Sequence, residues 1–101
     1  MERVFNLEFL KEVGYTSDEI AILESRIDTE LKDKLNMFPV LVIDNIKYLK
    51  DLGVKNYKEI FNKFGSLFLK NNSNFTGIFS KYEISDLIDK LEKNPDIVEY
   101  L

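Results

Sequence analysis

The chain of 101 residues contains no cysteine, no histidine and no tryptophan. Without thiols or imidazoles it has no disulfides, none of the usual zinc and haem ligands, and none of the nucleophile mechanisms that run through cysteine or histidine. Four glycines, at 14, 53, 65 and 77, are too scattered to cradle a phosphate, and no Gly-x-Gly-x-x-Gly, P-loop or EF-hand pattern occurs. The acidic pair Asp86 and Asp89 has i, i+3 spacing on what reads as the solvent face of a helix, where hydration explains it better than acid–base chemistry. The expectation is therefore a protein with no catalytic residue, no cofactor and no metal. No stretch approaches the roughly 20 apolar residues that span a bilayer, and Met1 to Asn6 lacks a basic-then-apolar signal pattern. A cytoplasmic location without a membrane partner is expected. With 45% hydrophobic and 32% charged residues, the chain can bury a core as one small acidic domain of net charge −4.

Apolar residues recur with helical spacing in several windows and alternate convincingly in none, which predicts an all-α fold. Ile84, Leu87, Ile88 and Leu91 form the clearest stripe. Ser80-Lys81-Tyr82-Glu83 before it reads as a capping box, opening a helix from about 81 to 93 that Pro95 stops. Asn56 and Thr16 read as two further N-caps, each followed three residues later by a glutamate, and Asp28 as a fourth. Asn6 to Val13 and Asn45 to Leu52 each run into a glycine. The β-branched run Val40 to Ile43 has no second strand to pair with, and reads as a helical turn or an extended connector. Gly77 and the polar run Asn71 to Asn74 leave 70–80 the least regular segment.

An octapeptide pattern, apolar-x-x-(Phe/Asn)-(Pro/Gly)-x-(Leu/Ile)-(Val/Phe), occurs at Leu35 to Val42, Phe61 to Phe68 and Leu91 to Val98. A second similarity joins Phe9-Leu10-Lys11-Glu12-Val13-Gly14 to Tyr48-Leu49-Lys50-Asp51-Leu52-Gly53. Ordinary punctuation between helices would also produce such patterns. Read as repeats, they predict short helices stacked as degenerate helix-turn-helix units of about 6–43, 45–69 and 74–98 within a single domain. One such unit cannot bury its own apolar face, so neighbours must stack. Phe38-Pro39-Val40-Leu41, Leu52-Gly53, Phe64-Gly65-Ser66-Leu67 and Asn94-Pro95-Asp96-Ile97 resemble the mitochondrial transcription termination factor repeat family (mTERF-like repeats), with Gly65 in a proline position. The resemblance covers residues 35–101 better than 1–34. It implies a curved stack of short helical units and, from the better-known members of that family, nucleic-acid binding.

Charge is uneven along the chain: −5 over residues 1–46, +4 over 47–70 and −3 over 71–101. Lys47, Lys50, Lys55, Lys58, Lys63 and Lys70, with Tyr48 and Tyr57 nearby, would make a phosphate-tracking face. The same lysines read more simply as solvated helix faces balancing the acidic flanks. No arginine lies in 47–70, so any nucleic-acid contact is expected to be salt-sensitive and sequence-tolerant. Phe68, Phe75 and Phe79 cluster around the Asn-rich segment, which looks too short to bury all three. They are the expected exposed patch for a protein partner, with ordering of the loop as the other explanation. The expected function is a non-catalytic interaction module that binds an unidentified protein through a groove or patch between helix pairs near 64–80, with a nucleic-acid-binding module as the alternative.

Overall fold

Short polar side chains set where the helices begin. In the computed structural model, which describes residues 7–101, Thr16 accepts from the Glu19 amide at 3.1 Å while the Glu19 carboxylate takes the Thr16 amide at 2.8 Å. This complete capping box opens α1 (Ser17–Arg26). Its hydrogen bond from the Thr16 amide, and then the Lys58 ammonium, hold the Glu19 carboxyl below its ordinary range. Asp28 caps α2 (Thr29–Met37) by accepting from the Leu31 amide at 2.8 Å. Asn71 caps α5 (Asn72–Ser80) in the same way through the Asn74 amide. The stretch that looked least regular is thus a helix, drawn in by its cap and by the burial of Phe75 and Phe79.

That helix displaces an expected one. Ser80 ends α5, so it cannot cap its successor. The Glu83 carboxylate accepts from the Ser85 and Asp86 amides at 3.3 and 2.8 Å instead, and α6 (Ile84–Lys93) starts about three residues later than the sequence suggests. Asn56 stands at the N-cap position of α4 (Tyr57–Lys63), yet its side chain does not cap. Its Nδ2 donates to the Leu91 carbonyl at 2.9 Å and ties α4 to α6. Val40 to Ile43 form the first turns of α3 (Pro39–Leu52), with Val42 and Ile43 buried. Three 3-10 helices, η1 (Glu8–Val13), η2 (Gly65–Leu69) and η3 (Pro95–Tyr100), complete an all-α set among the described residues. Asn6, the first residue of the first expected unit, lies outside them.

The two paired sequence similarities correspond to two recurring backbone geometries. Gly14 (φ 97°) ends η1 and Gly53 (φ 101°) ends α3 in the same left-handed cap. Each glycine amide bonds back to the carbonyl three residues earlier, and the next residue, Tyr15 or Val54, reaches Leu10 or Leu49. The second is a one-residue junction between consecutive helices, with matching backbone at Phe38 (φ −129°, ψ 55°) and Phe64 (φ −129°, ψ 46°) and a more extended one at Asn94 (φ −152°, ψ 91°). At all three the pattern's first residue (Leu35, Phe61, Leu91) and last residue (Val42, Phe68, Val98) are buried, and its seventh is half-buried.

The match at Phe38 and Phe64 makes Gly65→Pro a direct test. The backbone before Gly65 already has the shape it has before Pro39, and a Cβ there would meet only Leu31 Cδ2 at 3.6 Å and Leu35 Cδ1 at 3.9 Å. The variant is expected to gain about 0.4–1 kcal/mol by restricting the unfolded chain, read as a higher urea midpoint at unchanged slope. The two cap glycines are expected to differ from each other. Alanine at Gly53 costs the left-handed backbone penalty of about 1–2 kcal/mol, because its Cβ meets only Ile88 Cδ1 at 3.5 Å. At Gly14 the Cβ would lie 2.9 Å from the Tyr57 hydroxyl, which donates to the Val13 carbonyl at 2.7 Å. Gly14→Ala is therefore expected to cost about 1 kcal/mol more than Gly53→Ala in paired melts.

The elements pack in rows. η1 lies on α3 and α3 on α5, while α2 lies against η2, and α4 touches both η2 and η3. The result is an elongated body of 48 × 26 × 21 Å. Along its interior runs a chain of rings: Tyr15 on Phe61 (6.2 Å between centroids), Phe61 on Phe68 (5.0 Å), Phe68 on Phe75 (4.9 Å) and Phe75 on Phe79 (5.1 Å). Phe68, Phe75 and Phe79 are at most 1% exposed, so the expected surface patch is instead the centre of the core. α5 alone does not cover them. α3 packs against both α5 and η2, and Tyr48 of α3 closes over Phe75 and Phe79.

Candidate functional site

With the three phenylalanines inside, they cannot meet a partner, and the surface must be read again from its charges and hollows. Of the six lysines, Lys58 and Lys63 are already paired with carboxylates. Lys58 Nζ sits 3.0 and 3.2 Å from the two Glu19 oxygens and 5.4 Å from the centre of the Tyr15 ring. Beneath it Tyr15 is 4% exposed, with its hydroxyl 3.0 Å from Asn62 Oδ1 and 3.2 Å from the Lys58 carbonyl. Burial, with Glu19 and Tyr57 adding to it, pushes the Tyr15 phenol far above its ordinary range, so it stays a neutral structural donor. Lys63 bridges Asp96 at 3.2 Å and Glu59 at 3.8 Å, linking α4 to η3.

Lys47, Lys50, Lys55 and Lys70 are exposed and make no ion pair with any described residue. On α3, however, Lys47 is three residues from Asp44 and four from Asp51, both exposed, so helical spacing puts all three on one stripe. That stripe is mixed in sign. Lys70 lies apart from it, at the end of η2.

Two open grooves flank η2. The larger, about 430 Å³, lies between η2 and η3. Phe64 and Leu67 line it from one side, Val98 and Leu101 from the other, and Ile78 of α5 completes the apolar surface. Lys70 and Glu99 supply the charged groups. The smaller, about 320 Å³, lies between α2 and η2, lined by Leu31 and Leu69 with Asp28, Glu30 and Lys34. Ser66, exposed on η2, borders both. A groove of this size, whose walls are about equally polar and apolar, can take the anchoring side chains of an amphipathic ligand.

Five of the lining residues fall in the expected segment 64–80, but of them only Lys70 was named as a contact, and then for phosphate, although a signal for others was present. Phe64 and Leu67 are the fourth and seventh positions of one copy of the octapeptide pattern and Val98 is the last position of another. The pattern marks where two helices meet at a single residue, and at Phe64 that junction borders the larger groove. Among the described residues no helix is long and apolar enough to cross a membrane, and no group of three or more carboxylates could hold a metal ion. Compared with family models, curated proteins and solved structures, the chain gives no significant match to any of the three.

Proposed function

We propose that this chain is a non-catalytic helical-repeat module that binds a protein partner in the groove between η2 and η3. The observation that carries the reading is the groove itself: five apolar side chains from three elements facing one open hollow, with Lys70 and Glu99 at hand for orientation. The strongly shifted phenol is Tyr15, which is packed against α4 and does not line either groove, so binding accounts for the hollow better than acid–base chemistry does. The left-handed caps at Gly14 and Gly53, each ending the first element of its unit, support a repeat reading, in which the units are 8–37, 39–69 and 72–100, each of three helical elements.

Ser66 offers a test that spares the core. Ser66→Trp fills the groove mouth from an exposed position, where substitutions ordinarily shift stability by no more than about 0.5 kcal/mol. Affinity capture from the source cell is expected to retain polypeptides with the parent protein and to lose them with Ser66→Trp at equal melting temperature. Retention of the same polypeptides by both would move the site elsewhere.

A second reading, nucleic-acid binding, is favoured by the four lysines without ion pairs and by the resemblance to mTERF-like repeats. It requires retention on polynucleotide at low salt that disappears in the triple variant Lys50→Gln, Lys55→Gln, Lys70→Gln. The carboxylates Asp44 and Asp51 beside Lys47, and Glu99 beside Lys70 in the groove, weigh against it.

A further inference from the structure

The geometry points to a single binding tract made of both grooves, crossing η2 at Ser66 and taking one continuous basic, amphipathic peptide segment of the partner. This deepens the reading above and rests on it. In the three-element units, α2, η2 and η3 are the third elements of successive units. The smaller groove lies between the first two of these and the larger between the last two. Ser66 lines both grooves, so the two hollows meet at its exposed side chain. A small exposed side chain there leaves a ligand free to pass from one to the other.

The charges choose the occupant. Asp28, Glu30 and Glu99 line the tract against Lys34 and Lys70, and Lys34 already pairs with Glu30 at 3.4 Å. What remains toward a ligand is net negative at the α2 end, through Asp28. This favours a segment carrying lysine or arginine at that end and disfavours phosphate. The apolar pairs Leu31 with Leu69, and Leu67 with Ile78, would each receive an anchor side chain. Neighbouring packed helices lie about 8–10 Å apart, so anchors entering adjacent grooves would be about seven residues apart on a helical segment. On a polyproline II segment, with three residues per turn, they would be about three apart.

The test is selection of random 16-residue peptides on the intact protein, followed by titration of the selected peptides while amide resonances are observed. The tract predicts peptides rich in lysine or arginine, with apolar residues at one of those two spacings. They should move amides of Leu31 and Leu69 together with those of Leu67 and Ile78. Asp28→Asn removes the charge but keeps an N-cap side chain, and is expected to weaken such peptides about three- to fivefold without changing the melting temperature. Ser66→Trp is expected to abolish the shifts on both sides. Peptides that move only Leu67 and Ile78 would overturn the continuous tract while leaving the larger groove as the site. Acidic peptides, or indifference to Asp28→Asn, would overturn the basic occupant. If no peptide is enriched, or if those enriched move neither groove, both the tract and the groove reading fail.

Discussion

Replacing Phe68 with alanine is expected to destabilise the protein by about 3–5 kcal/mol, a large part of the roughly 5–15 kcal/mol that holds a domain of this size together. Phe68 is fully buried and is the middle ring of the aromatic chain, in edge contact with Phe61 and tilted contact with Phe75. Its removal takes away the transfer free energy of the ring and leaves a cavity that helices on three sides are held from closing, since η2 is packed against α2, α3 and α4 together. Equilibrium urea unfolding of parent and variant checks the figure. A loss below about 1 kcal/mol would mean that the ring faces solvent and that the original expectation of a partner patch was right. The contrast with Ser66→Trp matters for function, because one variant should lose the fold and the other only the ligand.

Asn45→Ala is expected to cost about 2–4 kcal/mol, although it removes only a small polar side chain. Asn45 is fully buried, the one polar side chain in the core among the described residues. Its Nδ2 donates to the Phe68 and Lys70 carbonyls, both at 2.9 Å, and its Oδ1 accepts from Asn72 Nδ2 at 3.0 Å. The amide thus fastens the end of η2, and the start of α5, to α3. Alanine leaves the buried Phe68 carbonyl without a donor, which costs its full desolvation, and frees the segment that carries Lys70 at the edge of the larger groove. Asn45→Asp is expected to be at least as damaging, since a carboxylate has no proton to donate to either carbonyl. Thermal melts give the stability change. Peptide titration should show weaker groove binding in Asn45→Ala even at temperatures where the variant is fully folded.

Much of the helical punctuation was legible in the sequence because it depends on contacts within four or five residues. Thr16 with Glu19, and Asp28 with the Leu31 amide, close rings so local that side-chain chemistry alone specifies them. Gly14 and Gly53 were legible for the same reason, since a left-handed cap needs a residue without a Cβ. The misreadings occur where a distant group competes. Asn56 has the right chemistry for a cap, but the Leu91 carbonyl 35 residues away takes its amide. Ser80 and Glu83 have capping-box spacing, but α5 runs through Ser80 because Phe75 and Phe79 are drawn into the core.

The sequence by itself determined that the fold is all-α and where α1, α2 and α4 begin, since periodicity and caps act over a turn or two of backbone. Only the tertiary structure decided which aromatics are inside, which lysines are already paired, and that Ser66 borders two hollows. Each of these depends on what elements far apart in sequence bring to the same place. Phe68 is buried by α2, α3 and α4 as well as by its own neighbours, and Lys58 is neutralised by a glutamate 39 residues away. Apolarity shows that a side chain needs cover. Which element supplies that cover is settled by packing over the whole chain.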